Sequence, residues 1–123
     1  MAKVSTYLNF SNQTEAAFLF YQSVFGGEFV GGIRRFGDMP PQEGMPPVDE
    51  ATKNLVLHVC LPITGGFELM GSDAPEGMCP PVVKGNNVYI NLEPDSREEA
   101  DRLFNGLSAG GVVEMPMSDM FWG

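Results

Sequence analysis

Few side chains in this sequence are suited to chemistry, and they fall in short apolar runs. The single histidine, His58, sits in LVLHVCLPI. It is the natural group to take or give a proton near neutral pH. It reads equally as a buried histidine bonded to a backbone or tyrosine partner. Alternation places Val56, His58 and Cys60 on one face of a strand. No Cys-His or Ser-His-Asp arrangement is supported by the spacing. Glu68, in FELMGSD, is the one carboxylate placed to serve as a ligand, although Met70 shares its parity and equally marks a packed wall. Two further pairs recur in matching contexts, Tyr7 and Asn9 in YLNF and Tyr89 and Asn91 in YINL. Facing inward, all four would offer donors and acceptors to a small ligand.

The elements that must position these groups follow from pattern. VSTYLNF (4–10) alternates and reads as a strand, with Ser5, Tyr7 and Asn9 on one side. A helix follows, with Asn12 as its cap and Glu15 completing a capping box. Ala16, Leu19, Phe20 and Val24 form its apolar face, and Gly26-Gly27 ends it. EFVGGIRRF (28–36) is a second strand, bent at Gly31-Gly32. Arg34-Arg35 is an exposed strand end. Residues 37–52 hold four prolines without periodicity and read as a long surface loop. The runs 53–63 and 67–73 form a hairpin around TGG. NVYINLEP (87–94) is a strand, and the helix after it starts at Asp95 or Ser96. Its apolar face is Ala100, Leu103, Phe104 and Leu107. VVEMPM is the next strand.

Laid together, the two halves match. Tyr7-Leu8-Asn9-Phe10 aligns with Tyr89-Ile90-Asn91-Leu92. After a two-residue insertion, Glu15-Ala16 aligns with Glu99-Ala100, Leu19-Phe20 with Leu103-Phe104, and Gly26-Gly27 with Gly110-Gly111. This is an internal repeat of one β-α-β-β-β unit. The second copy reaches only β-α-β, so two strands are expected beyond Gly123.

Composition bounds the rest. The 123 residues suffice for one domain, and 43% are apolar, which argues against general disorder. The net charge of −9, with only seven Lys and Arg, excludes phosphate-backbone binding to nucleic acid. No apolar run approaches the ~18 residues of a membrane span. The start of the chain lacks a signal-peptide core, so a cytoplasmic location is expected. Cys60 and Cys79 fit no zinc spacing, and Cys60 reads as a small buried hydrophobe.

The stretches YLNFSNQTEAAFLFYQSVFGGEF, HVCLPITGGFELMGSD and KGNNVYINLEPDSREEADRLFNGLSAGGVVEMPMSDMFWG resemble the vicinal oxygen chelate superfamily. That superfamily contains glyoxalase I, bleomycin-resistance proteins and extradiol dioxygenases, and the match is closest to its PhnB-like branch. The resemblance implies an α+β fold of paired βαβββ modules forming a single domain over 1–123, with module one at 4–73 and module two, incomplete, at 86–123. It implies a small-molecule cleft between the modules, lined by Tyr7, Asn9, His58, Glu68, Met70, Tyr89, Asn91 and Trp122, and a homodimer. Asp119 and Trp122 lie where relatives carry Asp-x-Phe-Trp-Gly. Metal-dependent relatives commonly place histidines near Ser5 and Asn87, and neither residue is a good replacement, so a divalent metal is improbable here and no cofactor is assigned. Two functions follow: a superfamily enzyme acting on a substrate with adjacent oxygens through a metal or through His58, or a non-catalytic protein that sequesters a small compound. The methyltransferase label sometimes attached to the branch has no support, because no glycine-rich nucleotide loop follows a strand.

Overall fold

The computed structural model describes residues 2–39, 49–75, 77 and 79–118. Among them no helix is long and apolar enough to cross a membrane. The chain forms two compact units, Met1–Val88 and Tyr89–Gly123.

The first unit is α+β. Its elements run β1 (Thr6–Phe10), α1 (Thr14–Phe25), β2 (Arg34–Arg35), α2 (Glu50–Lys53), β3 (Val56–Pro62) and β4 (Glu68–Asp73). They build a four-stranded mixed sheet in the order β1-β4-β3-β2. The β3–β4 hairpin is antiparallel, with Cys60 opposite Met70 and Leu61 opposite Leu69. Its turn uses Gly65 and Gly66 at φ of 74° and 77°, a region that costs glycine no steric penalty. β1 then joins parallel to β4, with Tyr7 opposite Met70 and Asn9 opposite Ser72. The crossover from β1 through α1 covers one face of the sheet, and the core lies between them. Phe18, Val56, Val59, Leu61 and Leu69 are its buried centre.

Phe18 packs so tightly on β4 that Gly71 admits no side chain. A Cβ at Gly71 would stand 2.6 Å from the Phe18 ring and 3.1 Å from the Leu8 carbonyl. The buried face of α1 is Thr14, Phe18 and Val24, with Ala17 and Tyr21 against the core. Leu19 is 48% exposed, so the expected face through Ala16 and Leu19 is the wrong one. The run AAFLFYQSVF is apolar nearly all round, and periodicity cannot choose between faces of such a helix. The start of α1 also departs from expectation. Gln13, not Asn12, precedes the helix and makes no side-chain cap. Asn12 instead turns the chain with a φ of 65°. The capping acceptor is Asp73, at the end of β4. Its carboxylate accepts from the Thr14 N–H at 3.0 Å, the Thr14 hydroxyl at 2.7 Å and the Val56 N–H at 2.8 Å. Glu15, freed from a capping role, takes the Arg35 guanidinium in two bonds of 3.0 and 2.8 Å.

The expected strand 28–36 shrinks to Arg34–Arg35. The Val30 N–H donates to the Cys60 carbonyl of β3 at 2.9 Å, but Gly31 and Gly32, at φ of 74° and 72°, then turn the backbone and interrupt the pairing before Arg34. Asp38 ends a short 3-10 turn at Phe36–Asp38, and α2 occupies part of the expected loop, capped by the Asp49 side chain.

In the second unit, α3 (Arg97–Ser108) is the regular element among the described residues. Ser96 caps it by accepting from the Glu99 N–H at 3.1 Å. It repeats α1 in length, 12 residues, and Gly110 follows it at a φ of 76°. Residues 87–94 and 112–117 form no strand, contrary to expectation. The first unit supplies the reason. There β1 pairs only with β4, the last strand of the unit. A strand's backbone groups need a neighbour to bond. The described residues of the second unit contain no strand equivalent to β4.

Candidate functional site

The face of the sheet opposite α1 carries the polar side chains. Strand alternation puts Tyr7 and Asn9 there from β1, and Glu68, Met70 and Ser72 from β4. Cys60 joins them opposite Met70. His58 reaches the same face, and the way it does so corrects the sequence reading. Arg34 pairs with His58 and Arg35 with Val56, so one residue, Leu57, is extra in β3. That bulge reverses the parity below it. Val56 turns into the core at 1% exposure, while His58 and Cys60 remain on the open face. The same bulge separates the two arginines. Arg35 points to α1 and Glu15, whereas Arg34 stands on the open face beside His58.

The structure therefore brings Tyr7, Asn9, His58, Glu68 and Met70 to one surface. It adds Arg34, Cys60 and Ser72, which sequence reasoning left out of the site. Ser72 was legible, since it shares parity with Glu68 and Met70. Arg34 was not, because its placement depends on the bulge. The Tyr7 hydroxyl lies 3.4 Å from His58 Nδ1, with ring centroids 5.9 Å apart and planes inclined by 32°. If the hydroxyl donates, His58 carries its proton on Nε2 and presents an N–H donor outward. The Ser72 hydroxyl donates to Asn9 Oδ1 at 3.3 Å. At the far end, Glu68 forms an ion pair with Lys3 and accepts from the Cys60 thiol at 2.9 Å. Cys60 is buried and Cys79 exposed, and both are free thiols.

The donor set does not fit a divalent metal. Such a centre needs about three or four converging N or O ligands. Among the described residues, no three His, Cys, Asp or Glu side chains gather to hold an ion. Glu68 pairs with Pro62, four residues along β3 from His58, a separation of about 13 Å at strand rise. Its oxygens are already engaged by Lys3 and Cys60.

Tyr89 and Asn91 belong to the second unit and are exposed. The Tyr89 hydroxyl donates to Glu114 at 2.9 Å. That carboxylate beside it pushes the Tyr89 hydroxyl above its ordinary pKa. The second unit also contains a hollow of about 530 Å³, lined by Leu103, Phe104 and Leu107 of α3 and by Val112, Val113 and Met115. Its lining is mostly apolar, with Tyr89, Ser108 and Glu114 as its polar side chains, and the Tyr89 hydroxyl is already bonded to Glu114, so it offers little to act on a substrate. The polar face of the first unit has the functional groups. Asp119 and Trp122 lie outside the described residues.

Comparison with known proteins bears on the fold. No family model matches the chain. Protein PA1353 from Pseudomonas aeruginosa, a crystal structure, is 34% identical, with a TM-score of 0.75 over 99% of this chain and 84% of that one. The PhnB protein from Bacillus cereus shares the fold at 24% identity, with a TM-score of 0.61 over 98% of this chain and 84% of that one. Protein YjdN from Escherichia coli strain K12 is 27% identical over 124 residues, 97% of this chain and 81% of that protein.

Proposed function

From the premise that the chain belongs to the same family as Pseudomonas aeruginosa PA1353, we propose that it binds a small molecule on the open face of the first unit's sheet. The observation that carries this reading is the composition of that face. Tyr7, Asn9, Arg34, His58 and Ser72 offer directional donors and acceptors around Met70, a side chain that adapts to varied apolar shapes. The fold shared with PhnB supports it. The first form of the proposal is sequestration: the face holds its ligand without transforming it. A second form rests on the Tyr7–His58 contact, which orients the imidazole as a general acid or base toward a bound substrate. In both, the chain works as a homodimer, because β1 and β2 leave sheet edges that a second copy can cover.

A fragment library screened against the ¹⁵N-labelled chain tests the reading. Amide shifts clustered on Tyr7, His58, Met70 and Ser72 support it, and hits confined to the second unit sink it. His58→Asn separates the two forms. Turnover of a bound compound lost with binding retained would favour catalysis. Sedimentation equilibrium reports the dimer. A Zn²⁺, Ni²⁺ and Mn²⁺ titration of melting temperature should leave Tm unmoved, and a rise with any of them would restore the metal-enzyme reading.

A further inference from the structure

We propose that the open face is selective for a carboxylate, received by Arg34 and by His58, whose imidazole Tyr7 orients, while the ligand's apolar body rests on Met70; this rests on the binding reading above. The chain is strongly acidic, and its cations are mostly spent. Lys3 pairs with Glu68, Arg35 with Glu15, Lys53 with Glu50 and Arg102 with Glu99. Arg34 differs. It is exposed, and among the described residues it makes no ion pair, its guanidinium lying over Gly31. The bulge in β3 sets it directly opposite His58. Antiparallel partners hold their Cβ atoms about 5 Å apart. Tyr7 completes the group through its 3.4 Å contact with His58 Nδ1. A guanidinium fork and an outward imidazole N–H, held in that tautomer by the Tyr7 hydroxyl donating to Nδ1, together match the two oxygens of a carboxylate.

The competing field is the overall charge of −9. Near physiological salt the screening length is about 8 Å. Distant carboxylates are therefore muted, while a guanidinium in contact is not. The acidic group on the same face, Glu68, stands opposite Pro62, about 13 Å along the sheet from His58, and is neutralised by Lys3. The face is thus polarised, cationic at the Arg34 end and balanced at the Glu68 end. Met70, between Tyr7 and Cys60 in register, supplies apolar contact.

Benzoate and benzamide, nearly equal in shape and different in charge, form the test. Each is titrated into the ¹⁵N-labelled full chain at fixed ionic strength. Benzoate should shift the Tyr7, Arg34 and His58 amides with a Kd at least tenfold below that of benzamide. Arg34→Gln should weaken benzoate about tenfold and leave benzamide within twofold. Lys84→Gln, which removes the same charge from an exposed loop, should change neither. Equal binding of the two compounds on this face would overturn the carboxylate preference and leave the binding reading standing. The preference also falls if benzoate binding is unchanged in Arg34→Gln. Shifts of neither compound on this face would remove both proposals.

Discussion

Asp73 joins three elements through one side chain. It ends β4, caps α1 through Thr14 and holds the first N–H of β3 at Val56. Both residues at the centre of this knot are buried, Asp73 at 4% exposure and Thr14 at 0%. Removing the carboxylate strands two buried backbone N–H groups, each costing about 1–3 kcal/mol. Asp73→Ala is therefore expected to lower stability by about 3 kcal/mol, read from the urea midpoint at constant slope. Asp73→Asn should fall between, because its amide keeps one acceptor and turns a second donor toward the site. Glu15 gives a pH-dependent counterpart. The Arg35 guanidinium bonded to it holds its carboxyl below the usual glutamate range. A depressed folded-state pKa means the contribution is present above the unfolded value and lost as pH falls through the folded one. Both partners are partly exposed, so the contribution is under about 1 kcal/mol. The Tm difference between wild type and Glu15→Gln should shrink as the buffer is taken from neutral into the acid range. A difference independent of pH would mean that the pair does not supply it.

At the scale of elements, close approach and register matter more than propensity. Gly71→Ala forces a methyl against Phe18 and the Leu8 carbonyl, and one of these contacts is backbone. Overpacking of this kind costs about 1–3 kcal/mol. Adding Phe18→Leu should recover part of the loss, and the recovery is measured as coupling in a double-mutant cycle. Additive losses would place the strain elsewhere. On α3, Ser96→Ala removes an N-cap bond to Glu99 and should cost about 1 kcal/mol. The bulge at Leu57 shows how little an element reveals about its own orientation. LVLHVCLPI reads plainly as a strand, and β3 is one. Which of its residues face the core depends on an extra residue visible only against β2. Parity alone therefore misplaced Val56 while grouping His58 and Cys60 correctly.

For the whole molecule, hydrogen exchange should follow the sheet. β3 and β4 have neighbours on both sides, and their amides should be the slowest. The exposed stretch from Pro80 to Asn91 carries no regular structure, and trypsin should cut after Lys84 before it cuts after Arg35. Equal rates at the two sites would show that Arg35's bonds to Glu15 and Asn54 confer no protection. Length, charge, the strand–helix–strand order of the first unit and the capped helix of the second were all determined by the sequence alone, because they depend on local spacing and turn chemistry. The pattern also marked Tyr7, Asn9, His58, Glu68 and Met70 as groups worth watching. Tertiary structure alone decided which face of α1 is buried, that Asp73 caps it from 59 residues away, and that Arg34 stands beside His58. It also decided that residues 87–94 form no strand. Each of these outcomes requires a partner distant in the chain, and a backbone or charged group takes its state from that partner rather than from its neighbours in sequence.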